Sequence, residues 1–293
     1  MDPQVFEQEW SSLLDGEADE KLVSVDCSVE TELCQRHDVS SFPAIRLHHQ
    51  NGRRTRYRGP RKASEILGFL RRTTRPAVSF VTSQNATAFQ AIDDVVFIGR
   101  FGPDHEHLRS QFDQAARTYH DRFSFAVAEA RQGQEPTLAC YNNLDGEHKS
   151  TAEFASPRAI PAFVKLCSAP LIPELMRSNE LSFYESRKSI VHYFVHNEKE
   201  REAYVAEMRP LAKKLREYLH FVTTDANEYA DAAEMMGLRR GAGGLSVQNP
   251  NTGDVYPYAR REKITAATVE AFLGDIVQGK VQPWRGDAGH DEL

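Results

Sequence analysis

One order of secondary-structure signals recurs along this chain, and that recurrence restricts its fold more than any single motif. In the last third, the β-rich run 189–195 reads as a buried strand. Residues 198–219 follow as a helix with Tyr204, Met208, Leu211, Leu215 and Tyr218 on one apolar face. Pro210 lies inside that helix and is expected to kink it. Residues 220–224 read as a second strand, and 226–236 as a helix closed by Gly237. Residues 245–248 and 255–258 flank Asn249-Pro250-Asn251-Thr252-Gly253 as a hairpin, and 265–278 close the unit as an amphipathic helix.

The middle third repeats this order. Strands are expected at 78–81 and 95–98, with Asn85 capping a short helix between them. A helix over 106–119, a strand over 123–127, a hairpin turning at Asn143-Leu144-Asp145-Gly146 and a helix over 157–167 complete it. This is βαβ, a hairpin and a terminal helix: the thioredoxin topology. The first third carries only the back half: a helix over 3–14, a strand over 22–26, a short helix over 31–37, a hairpin from 42–47 and 54–57, and a helix over 63–72. The strand that would lie between 22–26 and 42–47 has no counterpart. Each buried backbone group left unpaired by that loss costs about 1–3 kcal/mol, so residues 1–72 are expected to be marginal alone or re-paired across the gap.

Composition narrows the classes. The 293 residues carry a net charge of −6, which favours solubility over nucleic-acid binding. No apolar run approaches the ~20 residues of a membrane span, so no membrane insertion is expected. Four cysteines, Cys27, Cys34, Cys140 and Cys167, include no Cys-x-x-Cys pair, and no metal-spaced cluster or cofactor motif accompanies them. Cys140 and Cys167 read as buried small hydrophobes. The C-terminal His290-Asp291-Glu292-Leu293 reads as an endoplasmic reticulum retrieval signal, which implies a retrieval receptor as partner. The first residues show no basic region followed by an apolar one. The expectation is therefore either a start lying upstream or a form that stays in the cytosol. Asn85-Ala86-Thr87 is a glycosylation sequon, suited to the lumen if its loop is exposed.

Val25-Asp26-Cys27, Glu32-Leu33-Cys34, Ser41-Phe42-Pro43-Ala44 and Tyr57-Arg58-Gly59-Pro60-Arg61-Lys62 resemble the second half of the catalytic domain of the protein disulfide isomerase family. Leu171-Ile172-Pro173-Glu174 and the run 272–280 resemble the edges of that family's substrate-binding third domain. The resemblance implies an α/β fold of tandem thioredoxin-like domains, one partial and two complete. These are a partial a-type domain over 1–72, a b domain over 73–170, a b′ domain over 171–284, and a tail over 285–293. It implies a cis-proline at Pro43, a pKa-tuning arginine at Arg61 and a non-catalytic disulfide between Cys27 and Cys34. Pro136 matches the cis-proline position of the middle unit, whereas Gly243 stands there in the third.

The same resemblance separates binding from catalysis. Family catalysis needs Cys-x-x-Cys at a helix N-terminus, where the dipole favours the thiolate, and this sequence holds none. The expected function is assistance to protein folding by non-catalytic binding of unfolded or misfolded client polypeptides through the b′ domain, without cofactor or metal. Its apolar groove would include Phe183, Tyr184, Ile190, Phe194, Leu245 and Val247, each of which also reads as ordinary core. The alternative is a thiol–disulfide oxidoreductase whose signal peptide and Cys-x-x-Cys lie outside this chain.

Overall fold

The structure is a computed structural model; it describes residues 10–11, 13, 22–49, 52, 54–59, 62–130 and 132–286. The chain divides into two compact units, Met1–Ser168 and Ala169–Leu293.

The first unit opens with α1 (Thr31–Arg36), the antiparallel strands β1 (Arg46–His48) and β2 (Arg54–Arg56), and α2 (Ala63–Thr74). Leu47 pairs opposite Thr55, and the Tyr57 N–H donates to the Ile45 carbonyl at 3.2 Å, which extends the ladder by one bond. Alternation sends Ile45, Leu47 and Tyr57 inward against Ile66, Phe69 and Leu70 of amphipathic α2. Leu22–Asp26, expected as a strand, joins no sheet among the described residues, and Val23 is 74% and Val25 46% exposed. Strand pairing is a property of neighbours, and no described strand pairs with this segment.

The same unit continues with β3 (Ser79–Val81), α3 (Ala86–Gln90), β4 (Val95–Arg100), α4 (Glu106–Tyr119), β5 (Ser124–Ala128), β6 (Thr137–Asn142), β7 (Glu147–Thr151) and α5 (Ala159–Ser168). These strands lie in the order β3-β5-β4-β6-β7, with β3, β5 and β4 parallel and the last two contacts antiparallel. β4 is buried along Val95–Gly99 because helices cover both faces. Phe97 stacks on Phe125 at 5.0 Å, and Phe112 of α4 meets Phe125 edge-on at 5.7 Å.

A desolvated ion pair ties α2 to this sheet. Arg72 Nη1 donates to Asp93 Oδ1 at 2.8 Å with both side chains under a tenth exposed, and Arg72 Nε reaches the Asp121 carbonyl at 3.3 Å. The other Asp93 oxygen accepts from Ser124 Oγ at 2.7 Å, and Arg75 Nη2 donates to that hydroxyl at 3.1 Å.

The second unit contains α6 (Glu180–Glu185), β8 (Ser189–Val195), α7 (Glu198–Leu215), β9 (Leu219–Asp225), α8 (Ala230–Met235), β10 (Gly244–Gln248), β11 (Val255–Pro257) and α9 (Ala266–Val277). Its sheet runs β11-β10-β8-β9, and an isolated parallel bridge from Glu174 to Thr223 lies where β3 lies in the first unit. α7 starts under an Asn197 cap, whose Oδ1 accepts from the Glu200 N–H at 3.0 Å, and is continuous through Pro210. α9 begins with a reciprocal capping box between Thr265 and Thr268.

Replacing Arg72 with Met leaves the Asp93 carboxylate buried without its cation, a loss of about 3–5 kcal/mol. Urea unfolding of Arg72→Met should show that loss. The double variant Arg72→Met with Asp93→Leu should regain most of it, and an unchanged midpoint in the single variant would contradict the assignment.

Candidate functional site

Two places gather the residues singled out from the sequence. In the first unit, the turn before β1 holds a cis peptide bond at Phe42–Pro43. It is the one cis bond among the described residues, so Glu135–Pro136 is trans and the middle unit has no cis-proline counterpart. Pro43, Ala44 and Ile45 line a pocket of about 340 Å³ with Arg56, Tyr57, Arg58 and Gly59, while Phe42 is not part of its lining and is 69% exposed. Burial pushes the Tyr57 hydroxyl up to about 12, with Glu65 adding to the rise. Arg61 and the tail residues His290, Asp291, Glu292 and Leu293 lie outside the described residues.

Cys27 and Cys34 form a disulfide across the turn into α1, with Cα atoms 5.8 Å apart. A second disulfide corrects the reading of Cys140 and Cys167 as separate apolar fillers: they are bonded, Cα to Cα 6.5 Å. Cys140 sits on β6 and Cys167 at the end of α5, and packing of that helix over the sheet brings two buried sulfurs together. Their 27-residue separation closes a loop worth about 3.5 kcal/mol in the chain-entropy picture. No described cysteine is free.

In the second unit the structure divides the six expected groove residues. Ile190, Phe194, Leu245 and Val247 are interior, at no more than 5% exposure, so they form core and offer no wall to a client. The cause is alternation: Ile190 and Phe194 face one layer of the core, and Leu245 and Val247 face the other. Phe183 and Tyr184 of α6 are only half-buried, covering Leu175, Ile190 and Val222. Beside them Met176 is 41% and Leu181 66% exposed.

Sequence reasoning missed the polar layer under α6. His192, wholly buried on β8, places Nε2 3.3 Å from Gln248 Oε1, and Gln248 also hydrogen-bonds the Tyr184 hydroxyl. Burial lowers the His192 pKa to about 4 against the partial compensation of Gln248. Burial first, then Glu180, raises that of Tyr184. Only an alternating polar position inside an apolar strand, His192 in Ser189–Val195, marks this layer in the sequence. At Gly243 the chain runs close to its neighbours: a Cβ there would meet His196 Cε1 at 3.0 Å and the Phe194 carbonyl at 3.2 Å, so both would have to give slightly.

Asn85 is exposed at the start of α3, but its side chain turns backward. Oδ1 accepts from the Thr82 N–H at 2.7 Å, in place of the forward cap that the sequence suggested. Among the described residues there is no His/Cys/Asp/Glu group able to hold a metal, and no helix long and apolar enough to cross a membrane.

Residues 131–275 match the family of thioredoxin-like domains, and residues 4–72 match the thioredoxin family. A protein disulfide-isomerase of Aspergillus niger is 26% identical over 269 residues, covering 89% of this chain and 52% of that protein. Another, from Humicola insolens, is 27% identical over 270 residues, covering 90% and 54%. The chain is similar to protein disulfide isomerases along about nine tenths of its length. It spans about half the length of these relatives, and its α/β fold is one of tandem thioredoxin-like domains. Among solved structures, the bb fragment of ERp72 aligns with a TM-score of 0.42 at 19% identity, over 71% of this chain and 100% of that one.

The buried His192 gives this chain a pH dependence of definite sign. Its folded pKa of about 4 lies below the ordinary 6.5, so between those values the unfolded chain binds the proton first. Stability is full above pH 6.5 and falls as pH drops toward 4, by about 3 kcal/mol in all. Urea unfolding read from Trp284 fluorescence in a Trp10→Phe background should show this slope, and His192→Gln should flatten it. An equal slope in both proteins would assign the effect elsewhere.

Proposed function

We propose that this chain assists protein folding in the endoplasmic reticulum lumen by holding unfolded polypeptides, without exchanging disulfides through its own cysteines. The modules would be a partial a-type domain over 1–72, a b domain over 73–170, a client-binding b′ domain over 171–284 and a retrieval tail over 285–293. The observation that carries the proposal is the apolar surface around α6. Met176 and Leu181 stand exposed beside half-buried Phe183 and Tyr184. Apolar side chains at this density on one short element suit sequence-tolerant contact with unfolded chains. All four cysteines are committed to two disulfides, which supports an oxidising compartment and leaves no thiolate for attack. The His290–Leu293 signal would bring the retrieval receptor, and Asn85 would be open to glycosylation in that setting.

A second reading is favoured by one feature. The open pocket that Pro43 lines with Arg56, Tyr57 and Arg58 suits a corner that faces a reactive dithiol. In a longer polypeptide carrying Cys-x-x-Cys, the chain would then form part of a thiol–disulfide oxidoreductase.

The two readings part in one pair of assays. The chain should suppress aggregation of reduced, denatured lysozyme, and Leu181→Asp, a change on the surface, should weaken that effect about fivefold. Insulin reduction should proceed at the rate of a variant with all four cysteines replaced by Ala. Turnover above that control would refute the non-catalytic reading, and unchanged suppression by Leu181→Asp would remove α6 as the holding surface.

A further inference from the structure

Four methionines lie among the described residues, and burial divides them into two pairs. Met208 of α7 and Met236, just past α8, are buried in separate core layers of the second unit. Met176, ahead of α6, is 41% exposed, and Met235, the last residue of α8, is 65% exposed.

The exposed pair belongs to one face of the sheet. α6 covers Ile190 through Phe183 and Tyr184, while Ala233 of α8 and Met236 cover Phe194. Ile190 and Phe194, an even number of residues apart, project from β8 to the same side. The two elements are also joined directly: the Tyr229 hydroxyl, at the start of α8, accepts from the Arg177 N–H at 3.1 Å.

The backbone under each exposed methionine is fixed. Asn179 Oδ1 accepts from the Met176 N–H at 2.8 Å, and the Met176 carbonyl accepts from the N–H groups of Asn179 and Glu180. Met235 lies between wholly buried Ala233 and Met236, whose carbonyl accepts from the buried Ser246 hydroxyl at 2.8 Å. A change of polarity at either side chain therefore alters the surface and leaves the core in place.

A thioether suits contact with varied chains because it is flexible, polarisable and apolar. Among Met176, Leu181, Phe183, Tyr184 and Met235, only the two thioethers take up an oxygen atom under mild conditions. The sulfur lone pair attacks one oxygen of a hydroperoxide, so that an S–O bond forms and the O–O bond breaks. The second oxygen leaves as water or an alcohol. Sulfur is oxidised by two electrons and the peroxide reduced by two. The product is a sulfoxide, whose acceptor oxygen costs free energy when an apolar client segment covers it.

We propose that Met176 and Met235 form a reversible oxidation site, at which a hydroperoxide converts both to sulfoxides and so releases held polypeptides. This rests on the holding function proposed for the surface around α6. Two disulfides in the chain suit an oxidising compartment, and burial shields Met208 and Met236 there while the exposed pair reacts.

Treatment of the full chain with dilute hydrogen peroxide tests it, read by peptide mapping with fragmentation between Met235 and Met236. Met176 and Met235 should gain oxygen about tenfold faster than Met208 and Met236, with the thermal unfolding midpoint unmoved. The doubly oxidised chain should suppress aggregation of reduced, denatured lysozyme about fivefold less well, and methionine sulfoxide reductases should restore it. The double variant Met176→Leu with Met235→Leu, compared only with its own untreated form, should lose nothing on treatment. A loss in that variant, faster oxidation of the buried pair, or a midpoint that falls with oxidation would each overturn the proposal. Full suppression by the doubly oxidised chain would overturn it and leave the holding function standing. Absence of suppression by the untreated chain would remove both.

Discussion

Backbone pairing on both edges of a central strand is the condition on which the first unit rests. β4 meets β5 on one side and β6 on the other, and helices then cover both faces, so five of its consecutive residues are interior. An apolar strand that is also fully paired gives a sheet little reason to slip or open. The smaller part of the unit has no such strand among the described residues, and shows there a hairpin of two short strands and one long helix. It is held instead through α2, whose last turn is locked to the sheet by Arg72 and Asp93.

That clamp differs in kind from the apolar packing around it. An ion pair with both partners desolvated adds little net stability over an apolar pair of equal volume, but it tolerates few alternatives in position. Asp93 serves Arg72 with one oxygen and Ser124 with the other, and Arg75 reaches Ser124. The end of α2 is thereby fixed in rotation as well as in distance. A small hairpin with a modest core so acquires a definite place beside a larger sheet.

Local patterns carried much of the fold. The helix over Glu106–Tyr119 and the strand over Ser189–Val195 lie where apolar periodicity puts them, because each buries one face or both in a core of its own unit. The order strand, helix, strand, hairpin, helix was legible for the same reason. What failed depended on partners distant in sequence. Residues 22–26 alternate like a strand, yet a strand exists only beside another. Cys140 and Cys167 look apolar one at a time, and only the docking of α5 on β6 makes them a bond. Ile190, Phe194, Leu245 and Val247 have the composition of a groove wall and of a core alike, and burial decides for core. The polar layer of His192, Gln248 and Tyr184 joins three elements and leaves almost no trace in any of them.

The bond between Cys140 and Cys167 has a consequence in time. Neither sulfur is reachable from solvent, so a reducing thiolate can attack only after α5 lifts from the sheet. The same barrier holds during assembly: the bond has to form before the core closes, or while it is briefly open. Once closed, the crosslink keeps its state when the surroundings change. It acts as a record of the redox conditions in which the chain folded, carried unchanged into whatever compartment the chain next enters.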